Sequence, residues 1–297
     1  MASLKEVKGR IATVNNTRKI TSAMKMVASA KLHKAQGAIT NMLPYEHRLH
    51  ELLTNLLSGG DALSWGTPRE VKRVALVVFS SNSSLCGGFN ANVIKHATQW
   101  LDEHQALGKE NILIYPVGKK VADAIVKMGY TIQGDFQHMA DKPSFAEASE
   151  LAQGLMDMFA CGEVDKVELL YNHFKSTASQ ILTREVYLPM VSTDEESLRT
   201  CHPERSEESR VHPQEDYILE PSREALLATL LPKVLRMKLY TALLDSNASE
   251  HAARTMAMQI ATDNADDLLQ ELTLMYNKTR QQAITNELLD IVGGSMA

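Results

Sequence analysis

A long helical stretch at the N-terminus most constrains what this chain can fold into. From Leu4 to about Leu57 the only proline is Pro44, and apolar or small residues recur at alternating intervals of three and four. This is a heptad pattern, in which the polar residues Arg18 and Lys25 take places where Leu or Ile is expected. One unbroken helix of about 54 residues would be roughly 80 Å long, more than a compact domain of this chain could bury. The positions of the apolar seam are Leu4, Val7, Ile11, Val14, Thr21, Met24, Ala28, Ala35 and Met42.

A second helical stretch lies at the C-terminal end. Helical spacing returns at Ser222 and continues to about Val292, with Pro232 expected to kink the helix near its start. The two helices are too long to bury their seams on the domain between them, so we predict that they pack on each other as an antiparallel coiled coil. An ordinary homodimeric coiled coil or a helical bundle fits this pattern equally well.

The segment between the helices alternates strands with helices, which indicates a parallel sheet. Ser144 and Glu147 have the spacing of a capping box at the start of its third helix. We therefore predict an inserted Rossmann-like α/β domain that ends in a β-hairpin. The predicted elements are strands at 74–79, 112–115, 130–132, 166–174 and 180–188 and helices at 90–107, 119–128 and 144–159.

These patterns predict a division into five segments. Residues 194–216 are highly charged and almost without apolar side chains, so we expect a disordered surface insert there. The fold class is therefore α+α/β, a coiled coil of the terminal helices with an inserted α/β domain. The predicted segments are the N-terminal helix 1–57, a linker 58–72, the α/β base 73–193, the insert and foot 194–221, and the C-terminal helix 222–297.

The charge is unevenly distributed. The 31 Lys and Arg residues against 36 Asp and Glu residues give a net charge of −5, yet residues 1–35 alone carry +7 and the rest −12. A mild overall charge does not indicate a nucleic-acid coat. Three distant cysteines do not indicate a disulfide framework or a four-ligand zinc site. The longest apolar run is a third of a bilayer crossing, so we expect no membrane insertion and no signal peptide.

Candidate chemical sites are weak. A phosphate loop of the form GxxxxGK[ST] is absent, and the loop at 80–90 lacks GxGxxG spacing although it follows the first strand, where α/β folds bind ligands. Cys86 has no neighbouring His and is expected to be a buried thiol. Asp263, Asp266 and Asp267 are expected to form a solvated acidic face. We therefore expect no catalytic residue, no cofactor and no metal.

The end of the C-terminal helix points to a partner. Residues 283–294 extend beyond the part that the first helix can cover, judging by the two lengths. Such a single, partly apolar helix end risks aggregation unless another protein encloses it. This favours a partner protein that surrounds the helix end as a sleeve.

Motifs in both terminal helices resemble the gamma-subunit family of F-type ATP synthases. Residues 11–31 read IATVNNTRKITSAMKMVASAK, and residues 250–258 read EHAARTMAM. The family's pattern also matches YNKTRQ at 276–281, ITNEL at 284–288 and the LCGGFN loop at 85–90. The resemblance covers nearly the whole chain.

The resemblance implies a rotor shaft without a catalytic site of its own. The coiled coil would lie inside the hexamer of alternating alpha and beta subunits (alpha3beta3), and the base would sit on the c-ring beside epsilon. Turning of the ring by ion flow would then drive the beta sites through their nucleotide-binding states. The chain would be a peripheral protein on the cytoplasmic face of the bacterial plasma membrane.

The resemblance also assigns three groups of contact residues. The face near acidic lever loops of beta would hold Lys19, Met24, Lys25 and Lys31. The region that beta grips higher up would hold Arg280, Gln281 and Thr285. The foot near the c-ring would hold Tyr217, Leu219 and Glu220. The charged segment 197–213 departs from the family pattern, and the chain has no paired-cysteine insert of the kind that gives chloroplast gamma its thiol switch.

Two other functions remain open at this point. One is a coiled-coil scaffold with a non-catalytic α/β domain, and the other is an enzyme that uses the loop after Phe79. Co-purification with alpha and beta subunits separates the first from a shaft, and nucleotide turnover by the chain alone tests the second.

Overall fold

The computed structural model describes residues 3–57, 69–190, 220 and 222–295. Within those ranges the longest elements are the terminal helices α1 (Leu4–Leu57) and α6 (Arg223–Ser295). The shorter helices are α2 (Phe89–Glu103), α3 (Lys119–Lys127), α4 (Gln137–Asp141) and α5 (Phe145–Ala160), and the strands are β1 (Val74–Phe79), β2 (Ile112–Val117), β3 (Lys166–Phe174) and β4 (Gln180–Leu188). The predicted order of strands and helices is confirmed with two exceptions: α4 was not predicted, and the segment at 130–132 forms only an isolated bridge from Ile132 to Ile114.

The chain divides into two compact units, and α1 and α6 contribute to both. The helical unit consists of Met1–Ala30 and Arg254–Ala297. The sheet unit consists of Lys31–Ala253. The predicted five-segment division stays a prediction.

The sheet unit contains a mixed four-stranded sheet in the order β2-β1-β3-β4. Strand β1 pairs parallel with β2 and β3, while β4 pairs antiparallel with β3 and closes the predicted hairpin. Every residue of β1 is buried, as its unbroken apolar run predicts. Because successive side chains point to opposite faces, Val77 and Phe79 join the core on one side and Leu76 and Val78 join the core on the other.

The two faces of the sheet are covered by different helices. Residues of α5, α6 and the C-terminal part of α1, such as Leu53, pack with Val77 in the larger core. Residues of α2 and α3, such as Trp100 and Ile125, pack with Leu76 in the smaller core. The sheet therefore forms the middle of three layers, with α6 as a buried part of one layer.

The predicted capping box of α5 is wrong. Ser144 is the N-cap residue, but its side chain makes no capping hydrogen bond. The Glu147 carboxylate lies 3.2 Å from His138 Nδ1. It is therefore used in a contact with another segment rather than in the reciprocal bond to the cap that the capping box requires.

A buried carboxylate links α2 to the hairpin. Glu168 on β3 is 1% exposed and accepts hydrogen bonds from Trp100 Nε1 at 2.8 Å and Arg184 Nε at 2.5 Å. Lys166 Nζ lies 2.6 Å from the same carboxylate. Burial raises the pKa of Glu168, but these donors outweigh it and leave the pKa below its usual value. Glu168 is thus held as an anion in the smaller core.

Candidate functional site

The two helical segments of the helical unit pack against each other in antiparallel fashion. Arg18 Nη1 lies 2.8 Å from Asp266 Oδ1, and Thr21 Oγ1 lies 2.9 Å from Thr262 Oγ1. Residue numbers rise along α1 as they fall along α6 at these contacts, so the chain directions are opposed. Ala28, one heptad after Thr21 in α1, is also buried, at a small-residue position of the heptad pattern.

Polar pairs occupy the seam where the heptad pattern is interrupted. Arg18 and Asp266 are 40% and 46% exposed in their side chains, so their ion pair contributes at most about 1 kcal/mol. Its main effect is on register, because a shift along the helix would separate the two charges. Asp266, which was predicted to lie on a solvated acidic face, therefore also bonds across the seam. Asp263 is exposed and accepts a hydrogen bond from Gln259 of its own helix.

The seam opens near the start of α1. A groove of about 670 Å³ lies between the helices there, with Leu268, Leu272 and Met275 from α6 among its lining residues. Gly9 lines the opposite side, and a Cβ added at this glycine would meet no atom within 4 Å. The helices therefore do not close fully on each other at this end.

The helical unit exposes many large apolar side chains. Apolar exposure of this density is typical of a surface that another protein covers. On α1 the exposed residues are Ile20, Met26 and Val27, and on α6 they are Met256, Ile260, Leu268, Leu274, Met275, Ile284, Leu288, Leu289, Ile291 and Val292.

The predicted lever-contact residues do not share one face of the helix. Lys19 is exposed, while Met24 and Lys25 are half-buried. A separation of six residues places Lys19 and Lys25 about 120° apart around the helix axis. Lys31, also exposed, is the first residue of the sheet unit. A partner that contacts Lys19, Met24 and Lys25 must therefore approach the helix from more than one direction.

The predicted upper grip lies on an exposed part of α6. Arg280, Gln281 and Thr285 are all exposed, and the Thr285 hydroxyl donates to the Gln281 carbonyl of its own helix at 2.9 Å. The register of the seam places Leu4, where α1 begins, opposite Thr279 and Arg280. The rest of α6 continues beyond the start of α1 as a single helix, as the two lengths predicted.

The predicted foot falls largely outside the part of the chain that the structure describes. Tyr217, Leu219 and the insert 194–216 all lie outside the described residues. Glu220 is described and is exposed.

The loop after β1 is closed by its own polar groups. Asn90 Nδ2 lies 3.1 Å from Cys86 Sγ, and the Ser81 amide donates to Asn90 Oδ1 at 3.1 Å. Cys86 is 1% exposed, which confirms the buried thiol. The exposed Leu85 takes a positive φ of 68°, which is uncommon for a branched apolar residue. This geometry favours a structural turn over a ligand loop.

Neither a metal-binding cluster nor a membrane-spanning helix occurs in residues 3–57, 69–190, 220 and 222–295. These ranges contain no group of three or more His, Cys, Asp or Glu residues that could hold a metal ion. None of the helices in the same ranges is long and apolar enough to cross a bilayer.

Sequence reasoning missed a buried polar belt in α6. Residues 244–251 are all buried, although Asp245, Ser246, Asn247, Ser249, Glu250 and His251 are polar. A polar run in a helix normally marks its solvent side, so helical periodicity does not predict that this run is buried. One sequence feature could have indicated its burial: the run lies between a leucine-rich stretch and an alanine-rich stretch of the same helix.

Comparisons with known proteins agree over the full length. The sequence profile of the family described as ATP synthase matches residues 3–297. The ATP synthase gamma chain of Phocaeicola vulgatus is 67% identical over 299 residues, with 100% of each chain covered. The gamma chain of Bacteroides thetaiotaomicron is 61% identical with 100% of each chain covered, and that of Flavobacterium johnsoniae is 46% identical with 100% of this chain and 99% of the relative covered.

Solved structures show the same fold at low sequence identity. A chain of the Euglena gracilis mitochondrial ATP synthase, in an assembly of OSCP, F1 and c-ring, has a TM-score of 0.61 at 21% identity, with 99% of this chain and 93% of that chain covered. A chain of the Tetrahymena thermophila mitochondrial ATP synthase central stalk and c-ring has a TM-score of 0.56 at 22% identity, covering 82% and 99%. With the family profile and the bacterial relatives, this establishes that the chain belongs to the gamma-chain family of F-type ATP synthases.

Proposed function

We propose that this chain is the central rotor shaft of an F1Fo ATP synthase. It couples ion-driven rotation of the c-ring to the conformational cycling of the catalytic sites on beta. The observation that carries the proposal is the helical unit, with its exposed apolar side chains and the single-helix end of α6. Membership of the gamma-chain family supports the same role.

The partners follow from this role. The helical unit turns inside the alpha3beta3 hexamer, its two helices wound as a coiled coil. The sheet unit is a Rossmann-like base that contacts the c-ring and the epsilon subunit, with residues 194–221 at the foot. The chain works as a peripheral subunit on the cytoplasmic face of the bacterial plasma membrane and has no catalytic site of its own.

A rotating surface must bind its sleeve without stopping in one position. Deep, specific contacts would trap the shaft at one of three beta subunits, whereas exposed ion pairs contribute at most about 1 kcal/mol each. The exposed Lys19 and half-buried Lys25 supply such contacts to acidic loops of beta, with Met24 between them and Lys31 further along. Their different directions suit a sleeve that meets the shaft on all sides.

The end of α6 acts as the upper bearing. Arg280 is exposed level with the start of α1, and Gln281 and Thr285 are exposed on the part of α6 that continues past it. Beta subunits grip this region, and the apolar residues Leu288 and Leu289 beyond it are covered on assembly. The exposed Glu220 belongs to the foot together with Tyr217 and Leu219.

Co-purification tests the proposal directly. The tagged chain is expressed with alpha and beta subunits of the same cell, and the purified complex is assayed for ATP hydrolysis and for rotation of a bead fixed to the chain. We expect a complex of three alpha, three beta and one copy of this chain that rotates in one direction. A chain that purifies as a homodimer without alpha and beta would instead support the coiled-coil scaffold. ATP turnover by the chain alone would support the enzyme.

A further inference from the structure

The polar belt of α6 is bonded to the rest of the sheet unit in a fixed pattern. Asp245 Oδ2 lies 2.7 Å from His173 Nδ1 on β3, and the Ser249 hydroxyl donates to the Asn172 carbonyl at 3.0 Å. The Asn247 amide donates to the Ala140 carbonyl of α4 at 2.8 Å. Burying a polar side chain costs free energy unless it gains a hydrogen-bond partner, and each of these three side chains has one.

The contacts of α6 fall into two rows along the helix. The hairpin row consists of Lys238, Asp245 and Ser249, whose partners all lie on β3 or β4; the Lys238 ammonium lies 2.7 Å from the Glu185 carboxylate. Separations of seven and four residues place these three within about 40° of one another.

The second row, the helix row, consists of Arg236 and Asn247. Arg236 donates to the Gln153 side chain of α5 at 2.6 Å, and Asn247 bonds to α4. A separation of eleven residues keeps these two within about 20° of each other. The helix row lies about 140–200° around the axis from the hairpin row, so α6 is held from opposite sides.

Such rows resist rotation in a way that apolar packing does not. Apolar burial depends on area and has no preferred direction, so it opposes a small turn of the helix only weakly. A hydrogen bond weakens steeply once its length and angle leave a narrow range. Turning α6 by about 20° would move a side chain near the helix surface by roughly 2 Å, enough to break the bonds of both rows at once.

We propose that the hairpin row and the helix row together anchor α6 against rotation in the sheet unit, so that torque on the base passes into α6 without slip. The anchor rests on the shaft function proposed above. Its key positioning residues are Asp245 and Asn247, one from each row, with His173 as the partner on β3. Leu239, which is fully buried in the same helix, supplies packing only.

The test measures torsional stiffness in the complex with alpha and beta. Beta is fixed to a surface, and a magnetic bead is attached to the sheet unit at the exposed Cys161, in a Cys201→Ser background that leaves Cys86 buried. Angular fluctuation of the bead on a stalled complex reports the stiffness between base and sleeve. The anchor variant combines Asp245→Asn with Asn247→Ala. A second variant combines Arg236→Met with Lys238→Met. It replaces one residue of each row that is less buried than Asp245 and Asn247, and it serves as the test if the anchor variant fails to fold.

We expect the angular variance to rise at least about twofold in the row variants. The control Leu239→Ala should lower the thermal midpoint of the purified chain while leaving the variance unchanged. Unchanged variance in both row variants, or an equal rise in Leu239→Ala at matched thermal stability, would overturn the anchor. A wild-type chain that does not rotate within alpha and beta would contradict the shaft function, and the anchor with it.

Discussion

The His173 Nδ1 atom lies 2.7 Å from Asp245 Oδ2 in a buried hydrogen bond that joins β3 to α6. This bond raises the pKa of His173, with burial opposing it in part. Near the pair, burial raises the pKa of Glu46 from 4.5 to about 6, and the Asp245 charge adds to the effect. Glu185 raises it further, while Thr241 and Lys238 oppose the rise. Glu46 therefore lies near two other carboxylates, those of Asp245 and Glu185, around one segment of α6.

Stability of the chain should fall as pH rises from 5 to 8. The raised pKa of His173 means that its protonated form contributes stability below about 6.5, which is lost as pH rises through the folded-state pKa. The folded chain favours the neutral acid form of Glu46. The stability that this form contributes is therefore lost as the pH rises from 4.5 to about 6. We expect Glu46→Gln to raise the free energy of unfolding by on the order of 1–2 kcal/mol at pH 8 and much less at pH 4.5. Urea unfolding at the two pH values measures this, and a gain that is equal at both would contradict it.

Gly118→Ala should destabilise the sheet unit strongly. Gly118 has a φ of +110°, and an added Cβ would lie 2.3 Å from the Ser80 carbonyl oxygen. We expect a loss of more than about 2 kcal/mol, since both the backbone and its neighbour must shift. The matched control is Gly37→Ala in α1, where a Cβ meets nothing within 4 Å. That change should stabilise the chain by about 0.5–1 kcal/mol. Thermal unfolding compares the two, and the prediction is wrong if Gly118→Ala is neutral.

Met24→Lys should lower the coupling efficiency of the assembled synthase. Met24 is half-buried and directly precedes Lys25, so the change adds a second cation at this level of the shaft. We expect an over-strong contact with acidic loops of beta that resists turning. The measurement is the number of ions pumped per ATP hydrolysed in membrane vesicles. Met24→Leu keeps the volume without the charge and should retain the wild-type ratio, and an unchanged ratio in Met24→Lys would refute the prediction.

Charges at the end of α6 should impair assembly without unfolding the chain. Leu288 and Leu289 are 57% and 64% exposed, so the double change to Glu should alter the free energy of unfolding by no more than about 0.5 kcal/mol. Inside a sleeve the same carboxylates would be desolvated. We expect the yield of complex with alpha and beta to fall several-fold, and deletion of residues 284–297 to have the same effect. Normal yield and turnover after either change would count against the bearing.

The sequence alone determined the two long helices, the four paired strands and the polar break in the seam. Helical and strand periodicity are local properties, so the elements from Leu4 to Leu57 and from Val74 to Phe79 could be read directly. The heptad series also marked Arg18 as a polar seam residue, but its partner could not be read. Asp266 lies 248 residues away, and only the packing of the two helices brings the pair to 2.8 Å.

The tertiary structure decided how α6 is held. The run from Asp245 to His251 gives no local signal of burial, because nothing in its own sequence supplies the neighbours that bury it. Those neighbours are β3, the hairpin and α4, which reach the helix only when the sheet has formed. Glu147 is a second example. Its spacing from Ser144 predicts a capping hydrogen bond, but in the fold its carboxylate contacts His138. Periodicity determines which elements form, whereas the partners of buried polar side chains depend on which distant segments meet.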